Sequence, residues 1–443
     1  MNNVKKNNQE KIFYVCLLMG CFFMYFLWAN VIPFDAGPDE HMRYQIPEFI
    51  YKYGYLPHGG DERIRDDIWG ISYGFTPILS YIVSAFFMKV TSFFTTSSKA
   101  LILSARLMSV FFSTGTVYFS INIGKKLFNG AFKYTFVVSV ALLPQFVFIS
   151  SYVNNDAFGI FTVAWVVYAM ILANEKKWNF NSCAFLGVGI GFCALSYYNC
   201  YGIILIAIIY AVFSVINNKD IDKKIMFIFI RILWVGGGAF VIAGWWFIRN
   251  AIIYDGDFLG MRTSNEYAEK YALEPFKPSN RATPHNIGLP LKEMLIGRKW
   301  IESSVKSFIG MFDALTVPLE QWSYNLIYIV TVIGIIGSLI PKKVTGNNNK
   351  MVSVVLILCC YLMCGITIFL SLYYSYFSDF QPQGRYCLPM LITLNILLNY
   401  GWDSLTYRCK YFVRNFIAFL IVIVYCVIIA YAIYNIVIPV YIR

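Results

Sequence analysis

Charge is scarce in this sequence. Asp, Glu, Lys and Arg together supply 14% of the residues while 58% are hydrophobic, too little polar surface to solvate an ordinary water-soluble domain. Histidine is scarcer: the three present are His41, His58 and His285, none in a His-Glu-x-x-His or Cys-x-x-Cys setting, which argues against a zinc site. No Gly-x-Ser-x-Gly elbow and no phosphate-binding glycine loop occurs, which removes the common serine-hydrolase and nucleotide-binding signatures. The 11 cysteines lie in apolar segments or at their ends, and neither long polar loop contains one, so no disulfide framework is expected. Apart from the small Asn347-Asn348-Asn349 turn there is no low-complexity stretch.

Long apolar runs fill the space that charge leaves. They fall at residues 12–32, 100–123, 134–151, 157–173, 182–198, 201–216, 225–247, 323–341, 351–373, 387–402 and 413–436, and a run of about 20 apolar residues suffices to cross a bilayer as a helix. The expected fold class is therefore an all-α polytopic membrane protein forming one membrane domain over residues 1–443. The first run has no small-residue cleavage site behind it and reads as a retained helix rather than a signal peptide.

One further run, residues 71–90, sets the parity of everything after it. If it spans, Lys125-Lys126 and Lys176-Lys177 fall outside, against the positive-inside tendency of short loops. If it lies along the surface as an interfacial or re-entrant helix, as Gly74 and Pro77 within it suggest, all the basic clusters fall inside. These are Lys5, Lys6 and Lys11; Lys125, Lys126 and Lys133; Lys176 and Lys177; Lys219, Lys223 and Lys224; Lys342, Lys343 and Lys350; and Arg408, Lys410 and Arg414. The second arrangement is adopted here, with eleven spanning helices and a cytoplasmic N-terminus. The net charge of +12, from 36 Lys+Arg against 24 Asp+Glu, then reflects membrane orientation rather than nucleic-acid binding.

The inner loops run to about ten residues each, too short for a nucleotide-binding domain. Outside lie a first loop (residues 33–99), a long loop (249–322), and a short loop (374–386), so chemistry is expected on that side. The heavy use of Asn, Lys and Ile points to a low-GC bacterium, hence to its plasma membrane.

The first loop begins with Phe34-Asp35-Ala36-Gly37-Pro38-Asp39-Glu40-His41-Met42-Arg43-Tyr44. Gly37-Pro38 sets a turn that starts a helix, and Asp39 and Glu40 fall at its beginning, where the helix dipole favours carboxylates. Capping a surface helix would explain both acids. Met42, Ile46, Phe49, Ile50 and Tyr53 then recur at helical spacing. Arg106, near the outer end of the second spanning helix, marks either a polar pathway or ion pair, or a side chain that snorkels. Asn154-Asn155-Asp156 starts another helix. Gln383-Gly384-Arg385-Tyr386 puts a guanidinium at headgroup depth, suited to a phosphate or to an interfacial anchor. The long loop carries His285, Glu293, Arg298, Lys299 and Lys306, with a helix expected over residues 291–312, and reads as a cap facing the substrate.

These motifs, in this order, resemble the GT-C class of membrane glycosyltransferases: Pro38-Asp39-Glu40 followed by Arg43-Tyr44, a basic turn Gly124-Lys125-Lys126-Leu127-Phe128, a second acid at Asp156, and a late Arg385-Tyr386. Within that class the chain resembles an uncharacterised bacterial family. The resemblance implies a GT-C-like helical bundle that moves a sugar from a polyprenyl-phosphate carrier to an extracytoplasmic glycan, lipid or protein acceptor with inversion. It implies Asp39 and Glu40 as the catalytic carboxylates, with the choice of base between them open. It also implies Arg43, Tyr44, Arg106, Asn155, Asp156, Gln383, Arg385 and Tyr386 as substrate-binding residues. No cofactor is called for, although the acids are compatible with a divalent cation, and no nucleic acid is expected as a partner. The alternative is a transporter or flippase, or a non-enzymatic assembly factor, for lipid-linked envelope glycans.

Overall fold

The structure, a computed structural model, describes residues 2–219, 221–340 and 354–442. The basic cluster at Lys342, Lys343 and Lys350 and the Asn347-Asn348-Asn349 turn lie outside the described residues, as do the side chains of Lys5 and Lys6.

Helices account for nearly all of the regular secondary structure among the described residues. The chain begins with α1 (Asn2–Val31), α2 (Glu40–Tyr53), α3 (Leu79–Ser92) and α4 (Ser98–Leu127). It continues through α5 (Phe132–Ala141), α6 (Pro144–Ile149), α7 (Asp156–Glu175), α8 (Phe180–Ala194), α9 (Gly202–Ile216) and α10 (Lys224–Ile253). The long loop holds α11 (Met261–Tyr271) and α12 (Trp300–Ile309), followed by α13 (Gln321–Ser338), α14 (Val354–Phe377), α15 (Leu391–Thr406) and α16 (Tyr411–Tyr431), which a π-helical segment (Ala432–Val437) joins to α17 (Ile438–Tyr441). The sheet found among the described residues is a minimal antiparallel pair, β1 (Met311–Phe312) with β2 (Val317–Pro318).

Among the described residues seven helices are long and apolar enough to cross a membrane. The other four runs expected to cross fall in α5–α6, α8, α13 and α15, each shorter or interrupted. The run at residues 134–151 breaks because Pro144 lacks an N–H and starts a new helix instead. The run at 387–402 starts late, behind a 3₁₀ turn over Gly384–Met390. Around this bundle α10 turns exposed Ile225, Phe240 and Val241 outward, the side chains a helix presents to lipid rather than to water.

Two contacts fix the relative direction of α1 and α4. Arg106 of α4 donates to the backbone oxygens of Ala29, Ile32 and Pro33 at the end of α1. At the far end of α4, the Lys125 ammonium lies 4.0 Å over the ring of Tyr14, near the start of α1. So α1 and α4 run side by side in opposite directions, and the chain from residue 32 to 97 leaves and returns at one end. Within it α3 has 14 residues, about 21 Å of helix, against the roughly 30 Å of a hydrocarbon core. It packs on α2 and α4.

The loops expected outside meet at that same end. Leu273 donates its N–H to Ile68 of the first loop at 3.0 Å, and His285 to Tyr376 at the end of α14 at 3.1 Å. The opposite end holds the pairs Lys133–Glu10, at 2.6 Å, Lys126–Glu175 and Arg414–Asp403. In the long loop the helix expected over residues 291–312 contracts to α12, preceded by a π-turn at Glu293–Gly297.

Candidate active site

Two neighbouring carboxylates are turned in opposite directions by one backbone conformation. Asp39 precedes α2 in the left-handed region, φ 62° and ψ 16°, as does Asp35 at φ 69°. Asp is among the few side chains that tolerate this conformation, and such strain persists where the surroundings enforce it. The turn between them needs Gly37, because a Cβ there would lie 2.3 Å from the ring of Tyr152.

Glu40 points into the bundle. Its side chain is fully buried, and its two oxygens accept from Arg106 Nε (2.7 Å), Arg106 Nη2 (2.7 Å), Val153 N (3.0 Å) and Asp35 N (3.0 Å). Arg106 spends its remaining donors on the end of α1. Neither Glu40 nor Arg106 lines the cleft that Asp39 faces; together they form a buried ion pair that ties α2, α4 and the 150–155 loop to α1.

Asp39 points into a cleft of about 240 Å³. Its Oδ2 accepts from Arg385 Nη2 at 2.7 Å and from the Tyr73 hydroxyl at 3.0 Å, and lies 3.9 Å from Arg43 Nη2. Its Oδ1 has no hydrogen-bond partner among the described residues, and the side chain is 35% exposed. Burial opposes ionisation of Asp39, but the guanidinium groups of Arg385 and Arg43 outweigh it and hold the carboxyl below its usual range. Burial raises the Tyr73 phenol well above its ordinary value, so it stays protonated and donates.

Arg385 is 3% exposed. Besides Asp39 it donates to the Pro38 carbonyl at 3.2 Å and the Tyr386 hydroxyl at 3.2 Å, and its Nε is buried without a partner. It sits in the 3₁₀ turn that opens at Gly384, where the N–H donates to Ser307 Oγ of α12 at 2.7 Å. A Cβ on Gly384 would lie 2.0 Å from the backbone nitrogen of Phe308. Gly384→Ala is therefore expected to push α12 off the Arg385 turn. The expected outcome is destabilisation of order 1–3 kcal/mol, read as a lower melting temperature, together with a loss of whatever activity depends on Arg385.

Behind this first layer stands a second. Arg43, 1% exposed, donates to Asn155 Oδ1 at 2.5 Å and to Asp156 Oδ2 at 3.3 Å, and its guanidinium lies 4.7 Å over the Tyr73 ring. At the start of α7 the side-chain cap bond comes from Asn154, whose Oδ1 accepts from Ala157 N at 2.8 Å, and Asp156 faces Arg43.

The ten residues singled out by sequence thus separate into groups. Asp39, Arg385 and Tyr386 line the cleft. Arg43, Asn155 and Asp156 support it from behind, and Glu40 and Arg106 hold the frame. Tyr44 packs edge-on against Phe34, and Gln383 bonds through its amide to Gln381; neither lines the cleft. Sequence reasoning missed Trp69, Tyr73, Arg281 and Tyr374, which do. Nothing marks the aromatic three in so aromatic a chain, but Arg281 sits in a loop already read as a cap. Among the described residues no group of three or more His, Cys, Asp or Glu gathers as a metal site would.

Known proteins supply an independent view of this arrangement. Crystal structures of the Archaeoglobus fulgidus oligosaccharyltransferase superpose on it: the apo form with TM-score 0.56 at 11% identity, covering 94% of this chain and 55% of that one. The form tethered to an acceptor peptide gives 0.55 at 12%, covering 95% and 54%. The complex with an inhibitory peptide and a dolichol-phosphate gives 0.53 at 13%, covering 95% and 56%. The likeness is one of fold. The chain spans little more than half the length of that archaeal protein. Residues 76–241 also match the family described as dolichyl-phosphate-mannose-protein mannosyltransferase. That match includes Arg106, Asn155 and Asp156 but neither Asp39 nor Arg385. A comparison with curated protein sequences finds no match.

Proposed function

We propose that this protein is a glycosyltransferase that moves a sugar from a polyprenyl-phosphate carrier to an acceptor hydroxyl or amide at the outer face of the plasma membrane. The reading is carried by one observation: an ionised carboxylate whose Oδ2 is engaged by Arg385 and Tyr73 and whose Oδ1 is left without a partner in the cleft. Oδ1 of Asp39 would accept the acceptor's proton as the acceptor attacks the anomeric carbon. Arg385 would take the phosphate oxygens that gain charge as the carrier leaves, the kind of preorganised donor worth most in a site shielded from water. The match of residues 76–241 to a mannosyltransferase family and the superposition on an oligosaccharyltransferase solved with a dolichol-phosphate support this reading.

An acceptor that attacks the anomeric carbon from the face opposite the carrier phosphate completes transfer in a single displacement, so the anomeric configuration of the product should be inverted relative to the donor. A product of retained configuration, read by the anomeric proton coupling, would overturn the single-displacement mechanism.

The charge arrangement also fixes a pH signature. In the free enzyme Arg385 and Arg43 hold Asp39 below the ordinary Asp value of about 3.9, so kcat/KM should stay flat down to that value and fall only below it. Donor phosphate draws Arg385 away from Oδ2 and brings negative charge beside it; both changes raise the Asp39 pKa. The acidic limb of kcat should therefore lie at higher pH than that of kcat/KM. Coincident limbs would mean that Arg385 does not exchange Asp39 for phosphate. The same sign governs stability: the contribution of the Asp39–Arg385 pair is present above the unfolded Asp pKa and is lost as pH falls through the lower folded value.

A further inference from the structure

The cleft holds a second guanidinium that the mechanism above leaves unused. Arg281 comes from the segment that follows α11 and lines the same 240 Å³ as Asp39 and Arg385. Its position is fixed from several sides. Nη2 donates to the Phe276 carbonyl at 3.0 Å, Nη1 to the Ser378 carbonyl at 3.3 Å, and the guanidinium lies 5.2 Å over the Trp69 ring. The backbone around it is fastened too: Asn286 Nδ2 donates to the Arg281 carbonyl, His285 N to Tyr376, and the Tyr376 hydroxyl to Leu289.

What Arg281 lacks is an anion. No carboxylate lies within 4 Å of it among the described residues, and its Nε is buried without a partner. Asp39 is taken by Arg385. Asp379 also lines the cleft, but its Oδ2 accepts from Gln381 Nε2 at 2.7 Å. A half-buried, positioned and unpaired guanidinium is an unfavourable arrangement on its own, and a planar fork of donors is matched by the oxygens of a phosphate or carboxylate.

We propose that Arg281 is a second anion-binding residue of this cleft, and that the substrate presents two separate negatively charged groups, one to Arg385 and one to Arg281. This rests on the transferase reading for its second charge, which is either the second phosphate of a diphosphate carrier or the carboxylate of an acidic sugar. The anion pair itself does not depend on turnover.

Two measurements test it. Inorganic diphosphate should bind the purified full-length protein roughly 10–100-fold more tightly than inorganic phosphate, the range of one charge-assisted contact. Arg281→Gln should erase that preference and Arg281→Lys restore part of it. Tyr376→Phe, which loosens the same segment without changing charge, should leave it intact. Equal binding of the two anions by the unmodified protein, or a preference that survives Arg281→Gln, overturns the proposal.

In the transfer assay three donors separate the sources: a neutral sugar on a monophosphate, a neutral sugar on a diphosphate, and a uronic acid on a monophosphate. Arg281→Gln should raise KM roughly 10–100-fold for the donor carrying the second charge and change kcat far less, with the neutral monophosphate donor unaffected. An equal loss with all three donors would make Arg281 a mere strap and overturn the proposal. A protein that prefers diphosphate yet transfers no sugar would support the anion pair while removing the transferase reading.

Discussion

Asp39→Asn is expected to lower sugar transfer by about 10²–10⁴-fold, the contribution of a positioned general base. The folded protein should reach the membrane in nearly normal amount. The amide oxygen of Asn still accepts from Arg385 and from Tyr73, and the position is one-third open to solvent, so the structural penalty stays small. What the amide cannot do is take a proton at the place of the free Oδ1. Asp39→Glu provides the complementary case, because it restores a base at shifted reach and should recover part of the rate. Transfer measured per milligram of folded protein separates these effects, and an Asp39→Asn enzyme of full activity would remove Asp39 from the reaction.

The adjacent residue should behave in the opposite way. Glu40→Gln or Arg106→Leu leaves a buried charge without its partner, and breaking such a pair typically costs about 3–5 kcal/mol. Four donors converge on Glu40 and five N–H groups of Arg106 are used, so little can rearrange to compensate. These variants should show a sharply lower melting temperature and a low yield, while the fraction that folds keeps its KM. Removing both charges together, as in Glu40→Leu with Arg106→Leu, should recover part of the stability lost in either single variant, because no unpaired charge remains. Two side chains adjacent in sequence would thus divide chemistry from architecture. A Glu40→Gln protein that is fully stable but inactive would contradict that division.

The sequence made the helices legible because apolar length alone reports a bilayer crossing, and it made Asp39 and Arg385 legible because charged side chains stand out where charge is rare. Parity was read from Lys125 and its neighbours, and α1 and α4 run in opposite directions. The direction in which each acid points was not legible. It depends on the left-handed φ at Asp39, which a sequence does not announce, and on Val153 and Arg106, remote in the chain, reaching Glu40. Which residue of Asn154-Asn155-Asp156 caps α7 was not legible either, because Asn and Asp are both good capping residues. Arg281 escaped notice for a different reason: its meaning lies in the carboxylate it lacks, and absence of a partner is a property of the fold.

The Gly384–Ser307 contact shows why the long loop matters to a site built elsewhere. α12 seats the backbone on which Arg385 stands, and the segment before it delivers Arg281.

The account stands or falls on whether this carboxylate and this guanidinium make a glycosidic bond. The direct measurement is to incubate purified protein in lipid vesicles with a radiolabelled polyprenyl-phosphate sugar and a panel of outer-envelope acceptors, beside Asp39→Asn. The account predicts label transferred to an acceptor by the unmodified protein and almost none by the variant. Label that stays on the carrier with every donor and acceptor, or that moves equally well without Asp39, would contradict it.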